Sequence, residues 1–130
     1  MNMDFEQARF NMVEQQIRPW DVLDQEVLDL LFAVKRENFV PPAYRNLAFA
    51  DIEVPLGNGQ SMLEPKIEAR MLQALSPRRA DKVLQIGAGS GYLAALLGAR
   101  AEAVHAVEID PALVAMARAN LDRAHVTNVS

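Results

Sequence analysis

The chain has 130 residues, which is enough for one domain, and its hydrophobic content of 51% supports a buried core. A net charge of −4 excludes the basic surface that binds nucleic acid or anionic membranes. The absence of cysteine excludes disulfides and thiolate metal sites, and fits a cytoplasmic location.

Two helices are predicted in the first forty residues. Asp4 and Gln7 form a capping-box pattern at the start of a helix over residues 4–17. Arg18-Pro19-Trp20 interrupts this helix, because proline disfavours helical backbone at the residue before it. A second helix is expected over residues 24–34, with an apolar stripe that faces the core.

The middle of the chain is less regular. Residues 48–54 could form a short strand, and residues 56–61 read as a loop. Pro65 stands at the first position of a further helix, which Ser76-Pro77 ends.

From residue 82 onwards, strands and helices alternate. The expected elements are a strand over 82–86, a helix over 92–97 capped by Gly98, a strand over 103–109, a helix from Asp110 to about Arg123, and the start of a strand over 126–129. This order predicts an α/β fold with a parallel sheet, preceded by a helical N-terminal region. We expect a helical and substrate-loop region over 1–80 and the first βαβα unit of a cofactor-binding domain over 81–130.

Three glycines at alternate positions, Gly87, Gly89 and Gly91, follow the first of these strands. Such a turn is expected to aim free backbone N–H groups and the positive end of a helix at a ligand. Glu108 lies near the end of the next strand, about 20 residues further on, where a βαβ unit binds a ribose. The chain is therefore expected to bind a nucleoside-containing cofactor.

The spacing of the glycines favours one cofactor class. The dinucleotide pattern G-x-G-x-x-G would place its third glycine at position 92, which is Tyr92. The pattern here, G-x-G-x-G, resembles motif I of S-adenosylmethionine-dependent methyltransferases, whose ligand has no phosphate. An NAD-dependent oxidoreductase is the less favoured alternative.

Nearly the whole chain resembles the N-terminal portion of the protein-L-isoaspartate O-methyltransferase family. The matching features are the N-terminal helical pair, Phe39-Val40-Pro41, the loop over residues 55–61, Pro65 with its helix, and the segments 83–92 and 107–108. The resemblance implies a Rossmann-like fold, S-adenosyl-L-methionine as cofactor, and methylation of carboxylates of damaged aspartyl residues in proteins. It also implies that this chain is the N-terminal part of a longer domain.

The resemblance assigns the site residues. Ser61 is the catalytic candidate, and the predicted cofactor contacts are Gln60, Ser61, Met62, Gln85, Gly87, Ala88, Gly89, Ser90, Gly91, Glu108 and Ile109. Gln85 replaces an acidic residue of the family, and Leu63 stands where the family has its active-site serine. Leu63 therefore leaves open a divergent methyltransferase with another acceptor, or a non-catalytic fragment.

The expected partner is a protein or peptide carboxylate, with no nucleic acid, membrane or metal ion. The strand over 83–86 reads as a central strand, yet the sequence supplies no neighbour for its outer edge. An exposed edge of this kind predicts self-association.

Overall fold

The computed structural model describes residues 3–130 and has the predicted α/β fold. Residues 1 and 2, where the predicted N-terminal region begins, lie outside the described residues.

The first helix, α1 (Phe5–Met12), is capped as the sequence predicts. The Asp4 side chain accepts a hydrogen bond from the Gln7 amide at 3.1 Å. The chain continues through a π-helical segment, Val13–Ile17, and a 3₁₀ turn, Arg18–Trp20. The helix therefore changes type at Val13 and again at Arg18, and the chain turns away only at Asp21, where φ is 61°.

Helix α2 (Gln25–Ala33) is confirmed, and two 3₁₀ segments that were not predicted, Arg36–Phe39 and Pro42–Leu47, follow it. The strand predicted over 48–54 is wrong, because that segment forms turns and irregular backbone.

The loop predicted over 56–61 contains a hairpin instead. Strand β1 (Pro55–Gly57) pairs antiparallel with β2 (Gln60–Ser61). Asn58 and Gly59 have φ values of 54° and 77° at its tip. Asn-Gly is the residue pair that tight hairpin turns with positive φ prefer, so the sequence did carry a signal for this hairpin.

The second half follows the predicted order. It contains α3 (Pro65–Leu75), β3 (Lys82–Ile86), α4 (Tyr92–Gly98), β4 (Ala103–Val107) and α5 (Pro111–Arg123). Strands β3 and β4 are parallel neighbours. Residues 128–130 pair with the other edge of β4, where Val104 and Val129 form a parallel bridge.

Gly98 is the last residue of α4 and not its cap, which is Ala99. The Asn128 side chain donates to the Gly98 carbonyl at 2.8 Å, and a Cβ at residue 98 would lie 2.8 Å from the Asn128 Oδ1. A larger residue at this position would therefore have to displace the Asn128 side chain.

One buried apolar cluster joins both halves of the chain and includes Phe39, Leu72, Leu96 and Val104. The predicted division near residue 80 falls in the connection between α3 and β3 and stays a prediction. The outward side of β3 is open among residues 3–130, since Leu84 is 62% and Ile86 is 82% exposed.

Candidate functional site

The glycine turn joins β3 to α4, and its glycines face different surroundings. Gly87 and Gly91 have nearly equal φ values of 92° and 90°. A Cβ at Gly87 would meet nothing within 4 Å, whereas a Cβ at Gly91 would lie 3.2 Å from Leu121 Cγ and 3.3 Å from the Ala117 carbonyl oxygen. Gly87 thus borders open space that a ligand can enter, and Gly91 lets α5 pack closely against the turn.

Four backbone amides of the turn already have partners within the protein. The Gly87 and Ala88 amides donate to the Val107 carbonyl at 2.8 and 3.1 Å, and the Gly91 amide donates to the Ala88 carbonyl at 2.9 Å. The Gly89 amide is also occupied, as described below. These bonds fix the shape of the turn, and the spacing of its glycines is what favours a ligand without phosphate.

Glu108 holds the glycine turn in place. Its Oε1 accepts from the Gly89 amide at 2.9 Å, and its Oε2 accepts from the Asp110 amide at 3.1 Å. The carboxylate is half-buried. Each carboxylate oxygen has a further lone pair, so Glu108 can also accept from a ligand hydroxyl at the mouth of the turn.

The β1–β2 hairpin lies against this turn. A Cβ at Gly89 would be 3.5 Å from Leu56 Cδ1, and Asn58 donates from its side chain to Asp110 at 2.9 Å. The hydrogen bonds from Asn58 and from the Ala112 amide lower the pKa of the Asp110 carboxyl. The hairpin is therefore joined to the residue that caps α5.

Two concave spaces flank the glycine turn. An apolar groove of about 420 Å³, between α3 and β3, is lined by Leu63, Met71, Leu84, Gln85 and Gly87, among others. On the other side, a cleft of about 410 Å³ is lined by Ala88, Glu108, Arg118, Ser130 and residues of α5. A ligand that passes over Gly87 and Ala88 would reach both spaces.

Gln85 presents an unused acceptor at the end of β3. Its side chain is buried, and its Nε2 donates to the Gly87 carbonyl at 3.2 Å. Its Oε1 has no hydrogen-bond partner in the protein. A buried acceptor without a partner is costly, so a donor on a bound ligand would satisfy it.

The structure brings together Gln85, Gly87, Ala88, Gly89 and Glu108 around the turn. Met62 is buried behind the hairpin, while Gln60 and Ser61 are exposed on β2.

Three further residues that were predicted to contact the cofactor have surroundings unlike those of Gly87. Ser90 is buried, with its carbonyl accepting from Asn120, Gly91 packs on α5, and Ile109 is 96% exposed. The contacts of all these residues with a cofactor stay predictions.

Sequence reasoning missed Leu56, Asn58 and Arg36. Asn58 belongs to an Asn-Gly turn, which is a local signal. The contacts of Leu56 and Arg36 join distant parts of the chain and leave no local pattern. The described residues contain no cluster of metal-ligating side chains, and none of their helices is long and apolar enough to cross a membrane.

The comparisons with known proteins agree with this geometry. A family model for protein-L-isoaspartate(D-aspartate) O-methyltransferase matches residues 7–130. A protein-L-isoaspartate O-methyltransferase from Aeropyrum pernix is 44% identical over 125 residues, covering 92% of this chain and 47% of the relative. One from Koribacter versatilis is 42% identical over 122 residues, covering 94% of this chain and 55% of the relative. The chain therefore spans about half the length of these curated relatives.

Solved structures show the same fold. A Plasmodium falciparum protein described as a β-aspartate methyltransferase, crystallised with S-adenosyl-L-homocysteine, superposes with a TM-score of 0.75 at 18% identity. That match covers 98% of this chain and 62% of the other. A second protein-L-isoaspartate O-methyltransferase structure gives a TM-score of 0.70 at 22% identity, covering 95% of this chain and 40% of the other.

Proposed function

The chain belongs to the protein-L-isoaspartate(D-aspartate) O-methyltransferase family, and on this premise we propose that it is an S-adenosyl-L-methionine-dependent methyltransferase. Its acceptor in this proposal is the carboxylate of an isoaspartyl or D-aspartyl residue in a damaged protein, which makes it a protein-repair enzyme. The observation that carries the proposal is the family match over residues 7–130, which includes the whole glycine turn with Glu108.

The residues around the turn fit this cofactor. Gly87 borders open space, and Glu108 can accept from ribose hydroxyls. The buried Gln85 Oε1 lacks a partner and would accept from an ammonium group once its side chain turns toward that space. Tyr92 stands where the dinucleotide pattern has its third glycine, and this spacing favours a cofactor without phosphate. S-adenosyl-L-methionine, when bound, supplies a methyl group on a positively charged sulfur.

The chain's own task in this reaction is positioning and exclusion of water. The substrate carboxylate is ionised at neutral pH and needs no base, so the protein has to hold it in line with the methyl group. We assign Gln60, Ser61 and Met62 to the wall over the reacting groups, with Ser61 as a donor to the substrate carboxylate. Gly87, Ala88, Gly89 and Ile109 form the cofactor bed in this proposal, and Ser90 and Gly91 support that bed from the side of α5.

The test is transfer of a radiolabelled methyl group to two peptides that differ only in one isoaspartyl or aspartyl linkage. We expect labelling of the isoaspartyl peptide alone. Labelling of neither peptide by a chain that binds S-adenosyl-L-homocysteine would refute the acceptor, and failure to bind that ligand would refute the methyltransferase assignment.

Leu63 favours a second candidate function, a methyltransferase with a different acceptor. Its side chain is 41% exposed and lines the groove beside Gln85 and Gly87, where it can neither donate nor accept a hydrogen bond. An acceptor with an apolar neighbour to the reacting carboxylate would fit this wall better than a bare peptide backbone.

A cytoplasmic location and self-association complete the proposal. The edge of β3 that is unpaired among the described residues, and the exposed apolar side chains of Leu84 and Ile86 on one face of this strand, support association between copies. Sedimentation across a concentration series tests it, and cell fractionation tests the location.

A further inference from the structure

Arg36 is a buried arginine that binds four separate parts of the chain. Its side chain is 1% exposed. Its Nε donates to the Ala48 carbonyl at 2.8 Å, its Nη2 donates to the Leu63 carbonyl at 3.0 Å, and its Nη1 pairs with the Glu68 carboxylate. Its guanidinium carbon also lies 4.8 Å from the centre of the Tyr92 ring.

Two of these partners belong to the walls of the candidate site. Leu63 directly follows the hairpin and Met62, and it lines the groove with Gln85 and Gly87. Tyr92 is the first residue of α4, immediately after the glycine turn. Arg36 is therefore the side chain that connects the segment after the hairpin to the helix after the turn.

The chemistry of this cluster favours a geometric role over a purely stabilising one. A buried ion pair contributes little net stability, because desolvation of both charges offsets their attraction. Burial raises the pKa of the Glu68 carboxyl, and the Arg36 guanidinium opposes that rise. A planar guanidinium with five donors can hold two carbonyls, one carboxylate and one ring face together, and a lysine cannot.

The Tyr92 ring provides the second site contact of Arg36, through its face. Burial raises the pKa of its hydroxyl to about 12, so the ring stays neutral and the guanidinium stacks on a π face. The ring also packs against Phe39 at a centroid distance of 5.6 Å, which fixes its orientation.

We propose that Arg36 is a positioning residue of the site, which holds the Leu63 carbonyl and the Tyr92 ring and thereby fixes the segment 61–63 relative to the glycine turn. This inference rests on the proposed function only in taking the groove beside Gly87 as the place of methyl transfer. It assigns to Arg36 no contact with substrate or cofactor.

The chain contains a matched control. Arg9 and Glu37 form a second buried pair with two hydrogen bonds of 2.8 Å, and Arg9 stacks on Phe49 at 4.9 Å. This pair ties α1 to the segment 36–39 and contacts neither the hairpin nor the turn. The double variants Arg36→Met with Glu68→Met and Arg9→Met with Glu37→Met each replace a buried pair by apolar side chains, an exchange that is often tolerated.

The first measurement is hydrogen exchange at the Met62 amide, which donates to the Val54 carbonyl at 2.8 Å. The rate is normalised to the Val114 amide in α5 of the same variant, so that global destabilisation cancels. We expect Met62 to exchange about tenfold faster or more in the Arg36–Glu68 variant, and at the wild-type rate in the Arg9–Glu37 variant. Equal normalised rates in the two variants would overturn the inference.

The second measurement is methyl transfer. Misplacement of a site wall should lower kcat by about tenfold to a hundredfold with a smaller change in the KM for S-adenosyl-L-methionine. Arg36→Lys should lower kcat as well, because it keeps the charge without the fork, and full activity of this variant would contradict the positioning role. If the wild-type chain neither binds S-adenosyl-L-homocysteine nor transfers methyl, the proposed function fails, while the exchange rate at Met62 still decides the role of Arg36.

Discussion

Alanine substitutions at Gly87 and Gly91 separate the ligand space from the packing contact. Both residues have φ near +90°, so both substitutions place a Cβ in a backbone conformation that costs about 1–2 kcal/mol for a non-glycine residue. Alanine also lowers the conformational entropy of the unfolded chain, which stabilises the folded state by about 0.4–1 kcal/mol. Gly87→Ala should therefore destabilise the protein by about 1 kcal/mol, as nothing lies within 4 Å of the new Cβ.

Gly91→Ala should cost more, because its Cβ would lie 3.2 Å from Leu121 Cγ and 3.3 Å from the Ala117 carbonyl oxygen. Helix α5 would have to move away, and overpacking of this kind costs about 1–3 kcal/mol in addition. The expected total is about 2–4 kcal/mol, measured by urea denaturation of both variants and the wild type.

The order reverses for ligand binding. Gly87→Ala should weaken the binding of S-adenosyl-L-homocysteine by about tenfold or more in calorimetry, because its methyl group occupies the space beside Gln85. Gly91→Ala should bind almost normally under conditions where it is folded. If Gly87→Ala lost as much stability as Gly91→Ala while binding the ligand normally, the division of roles within the turn would be refuted.

Four further predictions concern single side chains. Glu108→Gln should lower the free energy of unfolding by about 1–3 kcal/mol, measured by urea denaturation, because the Gly89 or the Asp110 amide would then face a donor. It should also weaken the binding of S-adenosyl-L-homocysteine. Unchanged stability would contradict the role of Glu108 in holding the turn. Asp110→Ala should lower the free energy of unfolding by about 1 kcal/mol, because α5 loses its cap, and should have little effect on ligand affinity. If Asp110→Ala weakened ligand binding and Glu108→Gln did not, the assignment of Glu108 to the ribose would be wrong. Leu63→Ser should raise methylation of an isoaspartyl peptide above the weak activity expected of the wild type, and equal robust activity of both would exclude position 63 as the determinant. Burial raises the pKa of Glu37, but hydrogen bonds and charge from Arg9 outweigh this effect and leave the pKa below 4.5. The stability that follows is present above pH 4.5 and is lost as the pH falls through the lowered pKa. In Glu37→Gln, the urea midpoint should therefore fall less steeply with decreasing pH than in the wild type.

Local signals account for most of what the sequence predicts correctly. The Asp4 and Asp110 caps each accept a backbone amide within three residues, and the glycine turn follows its strand directly. Interactions of this kind need only neighbouring residues, so a sequence pattern can indicate them. Asn58-Gly59 is also a local signal, for a hairpin that the predicted loop over 56–61 does not include.

The contents of the site depend on contacts between distant residues. Glu108 reaches Gly89 across 19 positions, and Arg36 reaches Leu63 across 27 and Glu68 across 32. The amides of Gly87, Ala88 and Gly89 are not free, because the Val107 carbonyl and the Glu108 carboxylate at the end of β4 accept from them. Sequence reasoning could place the turn and the acid, but not the hydrogen bonds between them.

We propose that the glycine turn with Glu108 binds S-adenosyl-L-methionine rather than a dinucleotide. Calorimetric titration of the chain with S-adenosyl-L-homocysteine and with NAD, under identical conditions, tests it most directly. We predict saturable binding of S-adenosyl-L-homocysteine that Gly87→Ala weakens, with no comparable heat from NAD. Tighter binding of NAD would show that the glycine turn is a dinucleotide site.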